Sequence, residues 1–328
     1  MSFSHKVVLV DYDEDLFAPR GWEGEFMAKE GIEWVEGQWR NEADVVAQAG
    51  DADVVIVQSV RKLLNAQTIP MLKKCRGMIR AGIGYDSIDV EAATAQGIVV
   101  CNVPDYCAED VAEHALSLIL AAVRHLGVQD RLTRNGIWLR EAAKPTRRLS
   151  GQTLGLLAFG RIARALAHKV QGMGLEVIVY DPFITEETAH SLGVTSVELD
   201  ELLERADIIS VHAPLTPQTR HILSAREFGL MKPTTVLVNT SRGPVVDEAA
   251  LIDALKAGKI LAAGLDVFEQ EPPPADSPLY AMENVVLTPH TAAYSDDAVD
   301  DLYRGACQEA IDIIRGKLPA GAVNADRL

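Results

Sequence analysis

Short runs rich in valine and isoleucine recur along this chain, each followed by a stretch with helical spacing, and the rhythm starts twice. The first set of apolar runs falls at 6–10, 53–57, 77–80 and 98–101, the second at 154–159, 176–180, 207–211, 235–239, 261–265 and 285–287. Runs without apolar/polar alternation, separated by helices, fit strands buried on both faces of parallel sheets with crossover helices. The 328 residues exceed one ordinary core and suit two domains. The expected class is therefore α/β, with two doubly wound parallel-sheet (Rossmann-like) domains and a cleft between them. Between the two sets, residues 109–124 are apolar on nearly every side and read as a long buried helix at the domain junction.

Acidic residues outnumber basic ones by 47 to 31, a net charge of −16, which argues against nucleic acid or an anionic membrane as the main partner. A small anionic ligand would need a local positive field built from arginine, helix N-termini and backbone amides. Cys75, Cys101, Cys107 and Cys307 are scattered, with no Cys-x-x-Cys pair, so neither a zinc site nor a disulfide framework is expected, and no metal is assigned. The apolar run Val7 to Val10 is too brief for a signal-peptide core, and no stretch has the length to span a bilayer. A cytoplasmic protein is the expectation.

The run at 154–159 leads into Gly160-Arg161-Ile162-Ala163 and an amphipathic helix. Such a strand-to-helix turn directs free N–H groups and the positive helix end at a pyrophosphate. Of the fingerprint Gly-x-Gly-x-x-Gly only the central Gly160 is present, where backbone must approach phosphate; Ala158 and Ala163 take the outer positions. Alanine at the first of these puts the turn geometry in question. A packing glycine at a helix start is the rival reading. Against it stands Asp181, ending the next strand about 20 residues on, where an acid hydrogen-bonds the ribose 2′-OH of NAD and repels the extra phosphate of NADP. NAD is the expected cofactor.

Downstream lie Asn239-Thr240-Ser241-Arg242-Gly243, Asp266-Val267-Phe268-Glu269-Gln270-Glu271-Pro272 and Thr288-Pro289-His290-Thr291-Ala292-Ala293. Arg242 follows a buried-looking strand, so its planar fork emerges at the sheet's carboxyl rim, where it can hold a carboxylate and polarise an adjacent carbonyl. His290 follows another strand and is the side chain best suited to exchanging a proton near neutral pH. Glu271 precedes Pro272-Pro273-Pro274, a rigid stretch that aims it.

These motifs resemble the D-isomer-specific 2-hydroxyacid dehydrogenase family, and the resemblance covers nearly the whole chain. It implies an NAD-dependent 2-keto acid reductase that moves a hydride between nicotinamide C4 and substrate C2. His290 would be the acid/base, Glu271 its partner on the other imidazole nitrogen, and Arg242 the carboxylate clamp. The related formate dehydrogenases carry glutamine where Glu271 stands. Family cofactor contacts map onto Gly160, Arg161, Ile162, Asp181, His212, Ala213, Pro214, Thr219 and Ala292, with Asp266 and the Thr240 carbonyl on the carboxamide. His212 reads equally well as a structural hydrogen-bonding histidine. Substrate contacts map onto Ser59, Ile83, Gly84, Arg242 and Tyr294, the glycine turn at 82–84 being a plausible anion site or a plain structural turn.

The resemblance further implies a discontinuous substrate domain, 1–103 plus 292–328, around an NAD-binding domain, 104–291, with a last helix over about 296–315 and no added regulatory domain. It implies a homodimer, with Trp138 and the basic cluster Arg140, Lys144, Arg147 and Arg148 near the interface. Val100-Cys101-Asn102-Val103-Pro104 and the segment from His290 to Ser295 look closest to the carboxyl-terminal-binding protein and phosphoglycerate dehydrogenase-like branch, with Ala293 replacing that branch's tryptophan. The alternative function is accordingly an NAD(H)-binding, corepressor-like sensor with little turnover.

Overall fold

A computed structural model describes residues 3–328, and twelve strands organise it. They are β1 (His5–Leu9), β2 (Ile32–Glu36), β3 (Val54–Val57), β4 (Gly77–Arg80), β5 (Val99–Asn102), β6 (Thr153–Leu157), β7 (Glu176–Tyr180), β8 (Thr195–Ser196), β9 (Ile208–Val211), β10 (Val236–Asn239), β11 (Ala262–Leu265) and β12 (Val285–Leu287). The chain divides into two compact units, one of Met1–Cys107 with Tyr294–Leu328 and one of Ala108–Ala293.

The first unit is a five-stranded, all-parallel sheet in the order β2-β1-β3-β4-β5. Its strand β3 is buried at every position, as a strand covered on both faces must be. The helix Asp296–Ile314 starts at Ser295, whose hydroxyl accepts the Ala298 N–H at 2.9 Å, and buries Leu302, Tyr303, Ala306 and Ala310. Asn324, fully buried, pins the last segment to β5: its Oδ1 accepts the Val100 N–H at 2.9 Å and its Nδ2 donates to the Ile98 carbonyl at 3.0 Å.

The second unit is a seven-stranded parallel sheet ordered β12-β11-β10-β9-β6-β7-β8. The order turns at β6: the strands run outward through β7 to β8 on one side and through β9 to β12 on the other, which places a ligand-binding switch point at the carboxyl ends of β6 and β9. Side chains alternate between two cores, one per face. Leu157, Ile209, Val211, Leu237 and Ala263 meet Leu203, Phe228, Leu251 and Leu255 on one face. Leu154, Leu156, Ile208, Val236 and Val238 meet Ala115, Leu118, Ile119, Leu166 and Val170 on the other. The helix read at 109–124 is Ala108–Val123 and packs on this second face.

Two strands escaped the sequence reading. β2 mixes Ile32 and Val35 with charged Glu33 and Glu36 on a half-exposed edge, and β8 has two residues. Both are edge strands, where one-sided burial dilutes the apolar signal. Among the described residues no single helix is long and apolar enough to cross a membrane. All four cysteines are buried.

Candidate active site

Every second-unit motif residue lies at the carboxyl rim of the seven-stranded sheet, because each follows the end of a strand. After β6 the chain passes through Ala158 with a left-handed φ of 71° and reaches Gly160, the N-cap of the helix Arg161–Val170. A Cβ at Gly160 would meet no atom within 4 Å, so the turn opens onto space at the helix start, the shape a pyrophosphate requires. Ala163 is fully buried against the sheet, while Arg161 is exposed and Ile162 half-buried. Asp181 is bound into this turn: its Oδ2 accepts the Phe159 N–H at 2.8 Å and its Oδ1 the Phe183 N–H at 2.8 Å. The acid thus stands beside the glycine turn with both oxygens fixed in direction.

On the other side of the switch point, His212 follows β9 and its Nε2 meets the Ser210 hydroxyl at 2.9 Å. Desolvation pushes its pKa down to about 4, so the ring is neutral at physiological pH. The loop beyond is closed by Thr219, whose hydroxyl accepts the Thr216 N–H at 2.8 Å and donates to the Pro214 carbonyl at 2.5 Å. Thr219 therefore shapes the loop that carries Ala213 and Pro214. Thr240, after β10, is buried and its hydroxyl has no hydrogen-bond partner, an orphan of the kind a ligand amide satisfies. The open glycine turn, the fixed acid and this hydroxyl together fit a dinucleotide.

Arg242 is placed by its own turn. Asn239, almost fully buried, accepts the Ser241 N–H at 3.0 Å through Oδ1 and donates from Nδ2 to the Arg242 carbonyl at 3.1 Å. This closes an Asx turn. Gly243 must be glycine, since a Cβ there would collide with the Phe268 carbonyl and the Glu269 nitrogen. That close approach brings the arginine turn onto the segment bearing Glu271.

His290 sits in a left-handed conformation, φ 55°, with Nδ1 2.6 Å from Glu271 Oε2. The other Glu271 oxygen accepts the Phe268 N–H at 3.0 Å. Burial pushes the Glu271 carboxyl up, but the His290 bond and charge, the Phe268 N–H and the Arg242 charge outweigh it and hold the group below its ordinary value. The side chains of His290 and Glu271 keep about a third of their surface, 34% and 31%, open to solvent.

The loop that presents His290 hangs from Asp266, which is fully buried. Its Oδ1 accepts the Thr288 hydroxyl at 2.6 Å and the Thr291 N–H at 2.9 Å, and its Oδ2 the Ala292 N–H at 2.9 Å. The Asp266 carbonyl also accepts the His290 N–H at 2.9 Å. Because Thr288 donates to Asp266, His114 Nε2 donates to Thr288, at 2.9 Å. Asn239 and Thr288 open two of the sequence motifs but carry no assigned role there, and His114 lies outside the motifs. A polar side chain in the apolar helix 108–123 was the available signal for His114, and the Asn-x-Ser spacing was the signal for Asn239.

Ser59, Ile83, Gly84 and Tyr294 belong to the first unit. Ser59 follows β3, and its hydroxyl accepts the Arg61 N–H at 3.3 Å. The turn after β4 uses Gly82 at φ 150°, and the Ile83 carbonyl accepts from Asn102 Nδ2 at 2.6 Å. Tyr294 packs edge-on to Phe17, centroids 6.0 Å apart.

Residues 116–292 match the family described as D-isomer specific 2-hydroxyacid dehydrogenase, NAD binding domain. The D-3-phosphoglycerate dehydrogenase of Methanocaldococcus jannaschii is 41% identical over 86% of this chain and 53% of its own length. The glyoxylate reductase of Korarchaeum cryptofilum is 39% identical over 88% of this chain and 89% of its own. The chain thus spans about half the length of the first of these curated relatives and most of the second. Among solved structures, D-lactate dehydrogenase with NAD+ from Lactobacillus jensenii superposes with a TM-score of 0.81 at 28% identity, over 97% of this chain and 99% of that one.

Proposed function

The chain belongs to the D-isomer specific 2-hydroxyacid dehydrogenase family, and from that premise we propose that it is an NAD-dependent reductase of 2-keto acids. The observation that carries this reading is the 2.6 Å bond between His290 Nδ1 and Glu271, beside the Arg242 charge. Bound NADH supplies the hydride to the substrate's C2. Arg242 holds the substrate carboxylate with one edge of its fork and draws charge from the neighbouring carbonyl. With Nδ1 committed to Glu271, Nε2 is the ring nitrogen that gives the proton to the carbonyl oxygen as C2 is reduced; solvent then returns a proton to the ring. Glu271, ionised at neutral pH, stabilises the charged ring before it gives up that proton and again once solvent has restored it.

Gly160, Arg161 and Ile162 take the pyrophosphate, Asp181 the ribose, and Thr240 with Asp266 the carboxamide. Ser59, Ile83, Gly84 and Tyr294 supply further substrate contacts, and the working form is a cytoplasmic homodimer. The test is Arg242→Ala. Loss of one preorganised donor at a developing charge costs about 10²–10³ in turnover. We expect 2-keto acid kcat/KM to fall by at least about 100-fold while the Kd for NADH stays near wild type; an unchanged kcat/KM would remove the clamp.

A further inference from the structure

We propose that His221 and Glu269 form a positioning pair that holds the Arg242 turn against the segment bearing Glu271, an inference that rests on the roles given to Arg242 and Glu271 above. His221 lies in the loop after β9, with a left-handed φ of 53°. Its N–H donates to the Pro244 carbonyl at 2.9 Å, two residues past Arg242. Its ring Nε2 is hydrogen-bonded to Glu269 Oε1, two residues before Glu271. The Glu269 N–H donates in turn to Glu248 Oε2 at 3.1 Å. One histidine therefore grips both catalytic segments, through backbone on one side and side chain on the other.

The contact it spans is the one Gly243 makes with the Phe268 carbonyl, where no side chain fits. The Phe268 N–H is also a hydrogen-bond donor to Glu271, at 3.0 Å. A slip between the two segments would therefore move Arg242 and Glu271 relative to each other. Neither His221 nor Glu269 reaches the reacting atoms in this scheme. Their side chains keep 41% and 36% of their surface exposed, and an ion pair that open contributes little to global stability. Positioning predicts a catalytic loss without an equal loss of stability.

The test compares His221→Asn, which tolerates the left-handed backbone, with Glu269→Ala, their double variant, and Glu269→Gln, which keeps an acceptor for the ring N–H. Misplacement on the ångström scale costs up to about 100-fold. We expect each of the first two to lower 2-keto acid kcat/KM by about 10- to 100-fold, with NADH Kd and Tm close to wild type. The double variant should be no worse than the poorer single, and Glu269→Gln should recover most of the loss. Full activity in the single variants, multiplicative losses in the double, or losses matched in NADH Kd and Tm would overturn the pair. A wild-type protein that reduces no 2-keto acid would instead overturn the functional reading, and the pair's role with it.

Discussion

A left-handed backbone at a residue with a Cβ costs about 1–2 kcal/mol, and four such residues, His125, Ala158, His221 and His290, lie in the second unit. Three of them border the site: Ala158 in the glycine turn, His221 in the pair just described and His290 as the proposed acid. Strain of this kind persists where surrounding contacts over-determine it. For His290 those contacts are visible, since Asp266 binds the loop through both carboxylate oxygens and its own carbonyl. Ala158 has the Tyr180 carbonyl as acceptor for its N–H at 2.8 Å. Glycine adopts this φ freely, so Ala158→Gly should relieve more native strain than it adds in unfolded-state freedom, for a net gain of roughly 0.5–1 kcal/mol. A Tm rise of about 2 °C is expected, and a fall would show that the turn is unstrained. The doubt that alanine raised in the sequence thus has a definite physical form. Arg242, Glu271 and His290 were legible because each stands in a local motif beside proline or glycine. The Glu269 bond to His221 was not, because it joins loops 48 positions apart by a contact that no spacing rule anticipates.

At the scale of elements, the inner strands were legible because burial on both faces leaves unbroken apolar runs; Val54–Val57 and Ile208–Val211 are buried throughout. Edge strands β2 and β8 were not, for the converse reason. The amino ends of the second sheet are tied by Asp207, a residue with no motif around it. Its Oδ2 accepts the Thr153 N–H at 3.0 Å, and its Oδ1 meets Arg147 at 3.0 Å and Lys232 at 3.1 Å. Burial pushes the Asp207 carboxyl up, and the Thr153 N–H, Lys232 and Arg147 more than reverse that, leaving it below its ordinary value of 3.8. A carboxylate whose folded value is depressed contributes stability that is present above its unfolded value and lost as pH falls through the folded one. Asp207→Asn should therefore cost about 1–3 kcal/mol at neutral pH, and the gap to wild type should close as pH is lowered from 3.8 down through the folded value beneath it. Urea midpoints across that range would check it; a gap independent of pH would mean that the carboxylate's charge is not what binds β6, β9 and the two cations. Arg147, grouped in the sequence with the basic cluster, is paired with Asp207.

At the scale of the molecule, the alternation of strands and helices foretold two parallel-sheet units, and the chain does return to its first unit through the helix Asp296–Ile314. The fixing of that return by buried Asn324 was not legible, since an asparagine near a chain's end gives no sign of the backbone groups it will satisfy. With a net charge of −16, the protein as a whole repels both an anionic dinucleotide and a keto acid. On the proposed reading, binding then comes from local donors, the glycine turn at Gly160 and the fork of Arg242, set in an acidic surround. These donors, with His290 and Glu271, are proposed to serve the reduction of a 2-keto acid with NADH as the hydride source. Loss of NADH absorbance should be followed with purified protein against 2-keto acids ranging from glyoxylate and hydroxypyruvate to phosphorylated and bulky ones. Steady oxidation is expected with at least one of them, with a clear preference for NADH over NADPH; NADH that binds but is oxidised by no acid in the series would overturn the proposed function.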